Sequence, residues 1–162
     1  MNAHPVEEWI KKAEGNYLSA LTLARRRRNP VPDVVCNQCQ QCAEKYLKAL
    51  LVRHKIDFPK LHDLVQLEEL IARVDPDVRL IHSCLAELNP YGVDIRYPGL
   101  EATVEEGKQA VKAMKETQVC ALQVGTTANV MRSSPRSSLY RFRVDLIRRW
   151  IYATRPAYEK VA

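Results

Sequence analysis

From Val6 onward, apolar residues recur at Val6, Trp9, Ile10, Ala13, Tyr17, Ala20, Leu21 and Ala24, the i, i+3, i+4, i+7 stripe of an amphipathic helix. Pro5 suits its first turn, Glu7 and Glu8 lie at the positive end of the helix dipole, and Asn29-Pro30 stops it. A second stripe opens at Pro32-Asp33 and runs to about His54, with Val35, Cys39, Cys42, Ala43, Tyr46, Leu47, Leu50 and Leu51 inward. A shorter third helix starts near Asp63 and carries Leu64, Leu67, Ile71 and Val74. Asp75-Pro76-Asp77 then supplies an N-cap and a first-turn proline for a fourth, with Val78, Ile81, Leu85 and Leu88 inward. Residues 89–99 contain Pro90, Gly92, Pro98 and Gly99, too many breakers for regular structure, so Tyr91 to Tyr97 reads as an ordered or semi-ordered loop. Thr103 and Glu106 form a capping box. A fifth helix follows to about Leu122 with Val104, Gly107, Val111, Met114 and Ala121 inward.

This pattern predicts an all-α, five-helix, up-and-down bundle over residues 5–124. Gly125 to Ser138, rich in Ser, Thr, Arg and Pro, reads as a flexible linker, and residues 139–162 as a basic tail. Within the tail, Tyr140, Phe142, Val144 and Leu146 alternate as in a strand, while Leu139, Phe142, Leu146 and Trp150 fit a helix. With no partner strand in view, a short basic helix is the favoured reading, with a loosely attached extension as its alternative. Composition agrees with one domain: 162 residues at 46% apolar supply one core, and five glycines and two phenylalanines are few for a turn-rich barrel. No run approaches ~18 apolar residues, Met1 to Pro5 lacks a secretory pattern, and five cysteines favour free thiols in a reducing compartment. A cytoplasmic chain is expected.

Charge changes the picture only by its position. Of the net +6, none belongs to residues 1–122, which hold 17 basic and 17 acidic side chains; residues 123–162 hold 8 basic and 2 acidic. Attraction to RNA or an anionic membrane should therefore map to the tail. The run Arg25 to Arg28 reads as solvated charge matched to the negative end of the first helix dipole, with a phosphate patch as the alternative.

Candidate chemistry gathers on the second helix and the segment leading into the third. Gln40, Gln41, Glu44, Lys45 and Lys48 share one polar side at i, i+3 and i+4 spacings, close enough for a network. Glu44 and Lys48 read equally as an ordinary surface ion pair contributing ~0.3–0.5 kcal/mol. His62 before Asp63 offers an imidazole, although a histidine there more commonly bonds to backbone. Cys36, Cys39 and Cys42 have a spacing that can ligate metal. Inside a periodic helix, however, they spread over about 120° of its face, so buried packing cysteines are the better reading and neither metal nor cofactor is expected.

Trp9, the stretch Cys39 to Leu51, His62-Asp63-Leu64, and Leu88-Asn89-Pro90-Tyr91 with Arg96-Tyr97-Pro98, in this order over residues 6–120, resemble the HEPN domain. The resemblance implies a small helical bundle that pairs as a homodimer. It also implies a minimal nucleotidyltransferase partner in a two-component, toxin-antitoxin-like module. Ribonucleases of the family carry Arg-x4-6-His, in which Arg holds the scissile phosphate and His serves as acid or base. Here Arg53 adjoins His54, Arg79 precedes His82 by three, and Arg96 has no histidine after it. The resemblance then implies the branch with Arg-Tyr-Pro, linked to nucleotide or partner binding. Arg96 would read a phosphate, Tyr97 would stack or anchor, and Gln40, Gln41, Glu44, Lys45, Lys48, His62 and Asp63 would line the site. A loop Arg capping carbonyls, with Tyr97 plugging the bundle end, is the structural alternative. The functional alternatives are a metal-independent ribonuclease using Arg96 with a displaced His62 or His82, and a protein tethered by its basic tail to RNA or anionic membrane.

Overall fold

The computed structural model describes residues 5–93, 95 and 97–130. Helix α1, Val6–Ala24, and helix α2, Pro32–Arg53, form an antiparallel pair tied by Asn16 Nδ2 donating to Gln38 Oε1 at 2.6 Å. Helix α3, Leu64–Ala72, starts at Asp63, whose carboxylate caps it by accepting from the Gln66 N–H at 3.0 Å. Asp75 likewise caps a 3-10 helix, Pro76–Ile81, which leads into helix α4, His82–Leu88, and a second 3-10 turn, Asn89–Tyr91. Helix α5, Val104–Val130, opens with the reciprocal Thr103 and Glu106 bonds of a capping box, which also hold the Glu106 carboxyl below its ordinary range. The described residues contain no strand, and no helix among them is long and apolar enough to cross a membrane.

All eight inward positions read from α2 are buried, and Leu64, Leu67, Ile71, Val78, Ile81, Leu85 and Leu88 join them in the core. Small side chains allow close approach: Ala13, Ala20 and Ala43 are fully buried at helix contacts. Four elements depart from the hydrophobic pattern; in α1, Ala24 at the last position is exposed, because the stripe has reached the helix end. Val74 lies beyond the end of α3 and is 55% exposed. The fourth predicted helix begins as a 3-10 segment, because Pro76 and the Asp75 cap set a tight first turn before α4 continues. In α5, Val104 is 50% exposed and the buried stripe is Gly107, Ala110, Ala113, Met114, Thr117 and Ala121. Small residues carry that stripe because α5 lies close to α2, with the Gly107 position facing Pro32 and Val35.

Helix α5 also runs to Val130, six residues into the segment read as linker. The chain divides into two compact units, residues 1–121 and 122–162; the rest of the expected linker and the basic tail lie outside the described residues.

Candidate functional site

Helix α2 is covered on more than its apolar face, and this makes its polar stripe unusual. Gln40, Glu44 and Lys48, four residues apart, are 0%, 4% and 6% exposed. The Lys48 ammonium donates to Glu44 Oε1 at 2.6 Å, with both side chains nearly excluded from water. This is a buried ion pair, which corrects the surface-pair reading. Its desolvation cost must be met by further hydrogen bonds. Glu44 obtains them: Oε1 also accepts from His62 Nδ1 at 3.0 Å, and Oε2 accepts from Gln40 Nε2 at 3.3 Å and Gln41 Nε2 at 3.5 Å. Gln41 Nε2 also donates to Gln40 Oε1 at 2.9 Å. The Lys48 Nζ lies 5.6 Å from the centre of the Trp9 ring and 6.0 Å from that of Phe58, so the cation is flanked by aromatic faces.

Because an ionised carboxylate can only accept, the hydrogen of the His62–Glu44 bond sits on Nδ1. The other ring nitrogen of His62 then serves a ligand or solvent, and the side chain is 62% exposed. The His62 carbonyl accepts from Gln40 Nε2 at 3.2 Å, so the buried amide holds this segment at both its backbone and, through Glu44, its side chain.

The loop after α4 reaches the same amide. A Cβ at Gly92 would stand 2.9 Å from Gln40 Nε2, so only glycine lets the backbone pass here without displacing Gln40. Asn37 Nδ2 donates to the Tyr91 carbonyl at 2.9 Å, Asn89 Oδ1 accepts from the Leu64 N–H at 2.8 Å, and Asp33 Oδ1 accepts from the Ala102 N–H at 2.6 Å. The loop is thus pinned to α2 on both sides of Arg96. Arg96 itself lies outside the described residues, and Tyr97 is 64% exposed.

The structure therefore brings Gln40, Gln41, Glu44, Lys48 and His62 into one network. Lys45 joins it only through Gln41, donating to its Oε1 at 3.1 Å, and burial pushes the Lys45 ammonium down while Glu44 opposes. Asp63 is spent on the cap of α3. Burial opposes, but bonds from Gln66 and Asn89 hold its carboxyl below the usual range. Gly92, Asn37, Asn89 and Phe58 had no signal in the hydrophobic pattern. Gly92 stood out only as a breaker.

A second histidine has a related arrangement. His82 Nδ1 lies 2.7 Å from Oε2 of Glu68, whose side chain is wholly buried. The other oxygen, Oε1, is buried without a hydrogen-bond partner among the described residues. The five cysteines are free and buried. Burial, followed by the Glu106 and Asp33 charges, pushes the Cys36 thiol up to about 12; burial also raises Cys39 and Cys42, and takes Cys84 and Cys120 to about 11. No group of three or more His, Cys, Asp or Glu among the described residues is placed to hold a metal ion.

The HEPN domain family model matches residues 6–118. The crystal structure of an archaeal HEPN homologue superposes with a TM-score of 0.58, covering 75% of this chain and 98% of that one at 23% identity, a likeness of fold. No curated protein matches.

Proposed function

The chain belongs to the HEPN domain family, and we propose that it acts as a nucleotide-binding or partner-binding module, paired with a second copy and working beside a minimal nucleotidyltransferase in a toxin-antitoxin-like system. One observation carries this reading. The wholly buried Gln40 amide joins α2, the His62 segment and the close passage of Gly92, four residues before Arg96. The loop carries Arg96, whose guanidinium offers donors for a phosphate, and Tyr97, whose exposed ring offers an aromatic face. Thermal shift with ATP tests it on the full chain. ATP should raise the melting temperature of the wild type, and Arg96→Ala should remove most of that rise. If ATP gives no shift, co-purification with the product of the neighbouring open reading frame tests partner binding; loss of capture in Arg96→Ala supports it. Failure of both removes the reading.

The ribonuclease alternative rests on a different observation, that His62 and His82 each have a carboxylate behind Nδ1. A base so oriented can move a proton, and positioned acid–base groups contribute about 100- to 10,000-fold. Metal-independent RNA cleavage lost in His62→Ala or His82→Ala would establish it. The missing Arg-x4-6-His spacing predicts no cleavage.

A further inference from the structure

Glycine is needed at position 92 for space and not for conformation. Its φ of −74° is open to any residue, and a Cβ there would meet Gln40 Nε2 at 2.9 Å and Gln40 Cδ at 3.1 Å, with the Asn89 carbonyl oxygen next at 3.5 Å. The far end of a glutamine ordinarily turns aside from such a contact. Gln40 is wholly buried, however, and both ends of its amide are committed. Nε2 has one hydrogen for the His62 carbonyl at 3.2 Å and one for Glu44 Oε2 at 3.3 Å, while Oε1 accepts from Gln41 at 2.9 Å. A displaced amide cannot keep both acceptors of Nε2, and a buried polar group left without its partner is costly. Movement of the loop against α2 is therefore passed on to whatever those two acceptors hold.

Both lead to the same imidazole. The carbonyl is that of His62, and Glu44 accepts from His62 Nδ1 at 3.0 Å. While that bond stands, the hydrogen of the neutral ring is on Nδ1, and Nε2, on a side chain 62% exposed, can only accept. Once the bond is released, Nδ1 can give its proton to water and Nε2 can take one from water, with no net change in charge. The exposed nitrogen is then a donor.

We propose that Gln40 is a positioning residue through which the loop that carries Arg96 sets whether the exposed nitrogen of His62 accepts or donates a hydrogen bond. A phosphate oxygen needs a donor, and a donating group on a protein partner needs an acceptor. Loop position thus selects between the two kinds of ligand that the site is read as taking, and the inference rests on that reading of the loop as the binding element. Linkage makes the effect reciprocal: a ligand that fixes His62 in one tautomer biases the loop by the same factor.

Long-range proton–nitrogen NMR of the imidazoles in the full chain without ligand, at about pH 8 where an ordinary imidazole is neutral, reads the tautomer directly. Wild-type His62 should be held as Nδ1–H. Gly92→Ala should lower its ratio of Nδ1–H to Nε2–H about 5-fold, the factor for one net hydrogen bond, while His82, held by Glu68, keeps its own ratio. In a Gln40→Ala background, which removes the amide and opens the space, adding Gly92→Ala should leave the His62 ratio unchanged. Gln40→Met, of similar length but without the amide, approaches the same link from the other side and should lower the ratio alike; it carries the test if Gly92→Ala does not fold. An unchanged His62 ratio in Gly92→Ala or in Gln40→Met overturns the proposal. So does an equal response to Gly92→Ala with and without the Gln40 amide, which would route the effect elsewhere. No ligand enters the measurement, so failure of ATP and partner binding leaves the coupling standing, and an unchanged ratio removes the coupling while leaving binding intact.

Discussion

Two exposed histidines in this chain lean on buried glutamates, and their surroundings differ. His62 meets a carboxylate that also holds Lys48 and receives amides from Gln40 and Gln41. His82 meets Glu68, whose second oxygen has no hydrogen-bond partner among the described residues. The first carboxylate has several donors to share its charge, and the second depends on one. Similar geometry at the imidazole therefore predicts dissimilar consequences. In the α2 network the histidine is the expendable member and the carboxylate the indispensable one; in the α3–α4 pair the histidine carries the burden.

The largest effect should come from Glu44→Ala, which strands the buried Lys48 cation; breaking a buried pair in this way costs about 3–5 kcal/mol. Urea unfolding measures it. Replacing Glu44 and Lys48 together by Met should recover most of that loss, because an apolar pair of similar volume has no charge to desolvate. If the double replacement is as unstable as Glu44→Ala, the network does more for the fold than compensate its own burial.

Next in size, His82→Ala should cost about 1–3 kcal/mol, since it leaves Glu68 without its donor. His62→Ala should cost less than about 1 kcal/mol, because Glu44 keeps three donors. Equal losses in the two variants would erase the contrast.

A smaller, pH-dependent effect should appear at Glu14 on α1, a half-buried carboxyl outside both pairs. Its Oε1 accepts from the Tyr46 hydroxyl and from Gln118 Nε2, so it joins α1, α2 and α5. Burial raises its pKa above the ordinary value, with the Gln118 bond opposing. A raised carboxyl contributes stability that is full below the unfolded-state pKa and is lost as pH rises through the folded-state value. The stability of Glu14→Gln relative to wild type should therefore improve from about pH 4 to about pH 7. A difference that is flat or falls over that range would show that the geometry of the Tyr46 and Gln118 donors, and not desolvation, governs this carboxyl.

Most of the helical frame was legible in the chain because periodicity and capping are local. The eight inward positions of α2, the Asp75 cap and the Thr103–Glu106 box follow from residues within a turn or two of each other. The same locality misled at α5. Val104 fitted an apolar stripe, but close approach to α2 selected the face built of Gly107, Ala110 and Ala113. For the site, spacing alone placed Gln40, Gln41, Glu44, Lys45 and Lys48 on one side of α2. It could not show that this side is buried, because burial depends on which segments fold over it. His62, Gly92 and Phe58 come from well beyond the helix, and Glu68 meets His82 across 14 residues. A sequence determines which side chains share a helix face; only the packing of helices decides whether water reaches that face, and removing the water turned an ordinary surface pair into a buried network whose carboxylate depends on several donors.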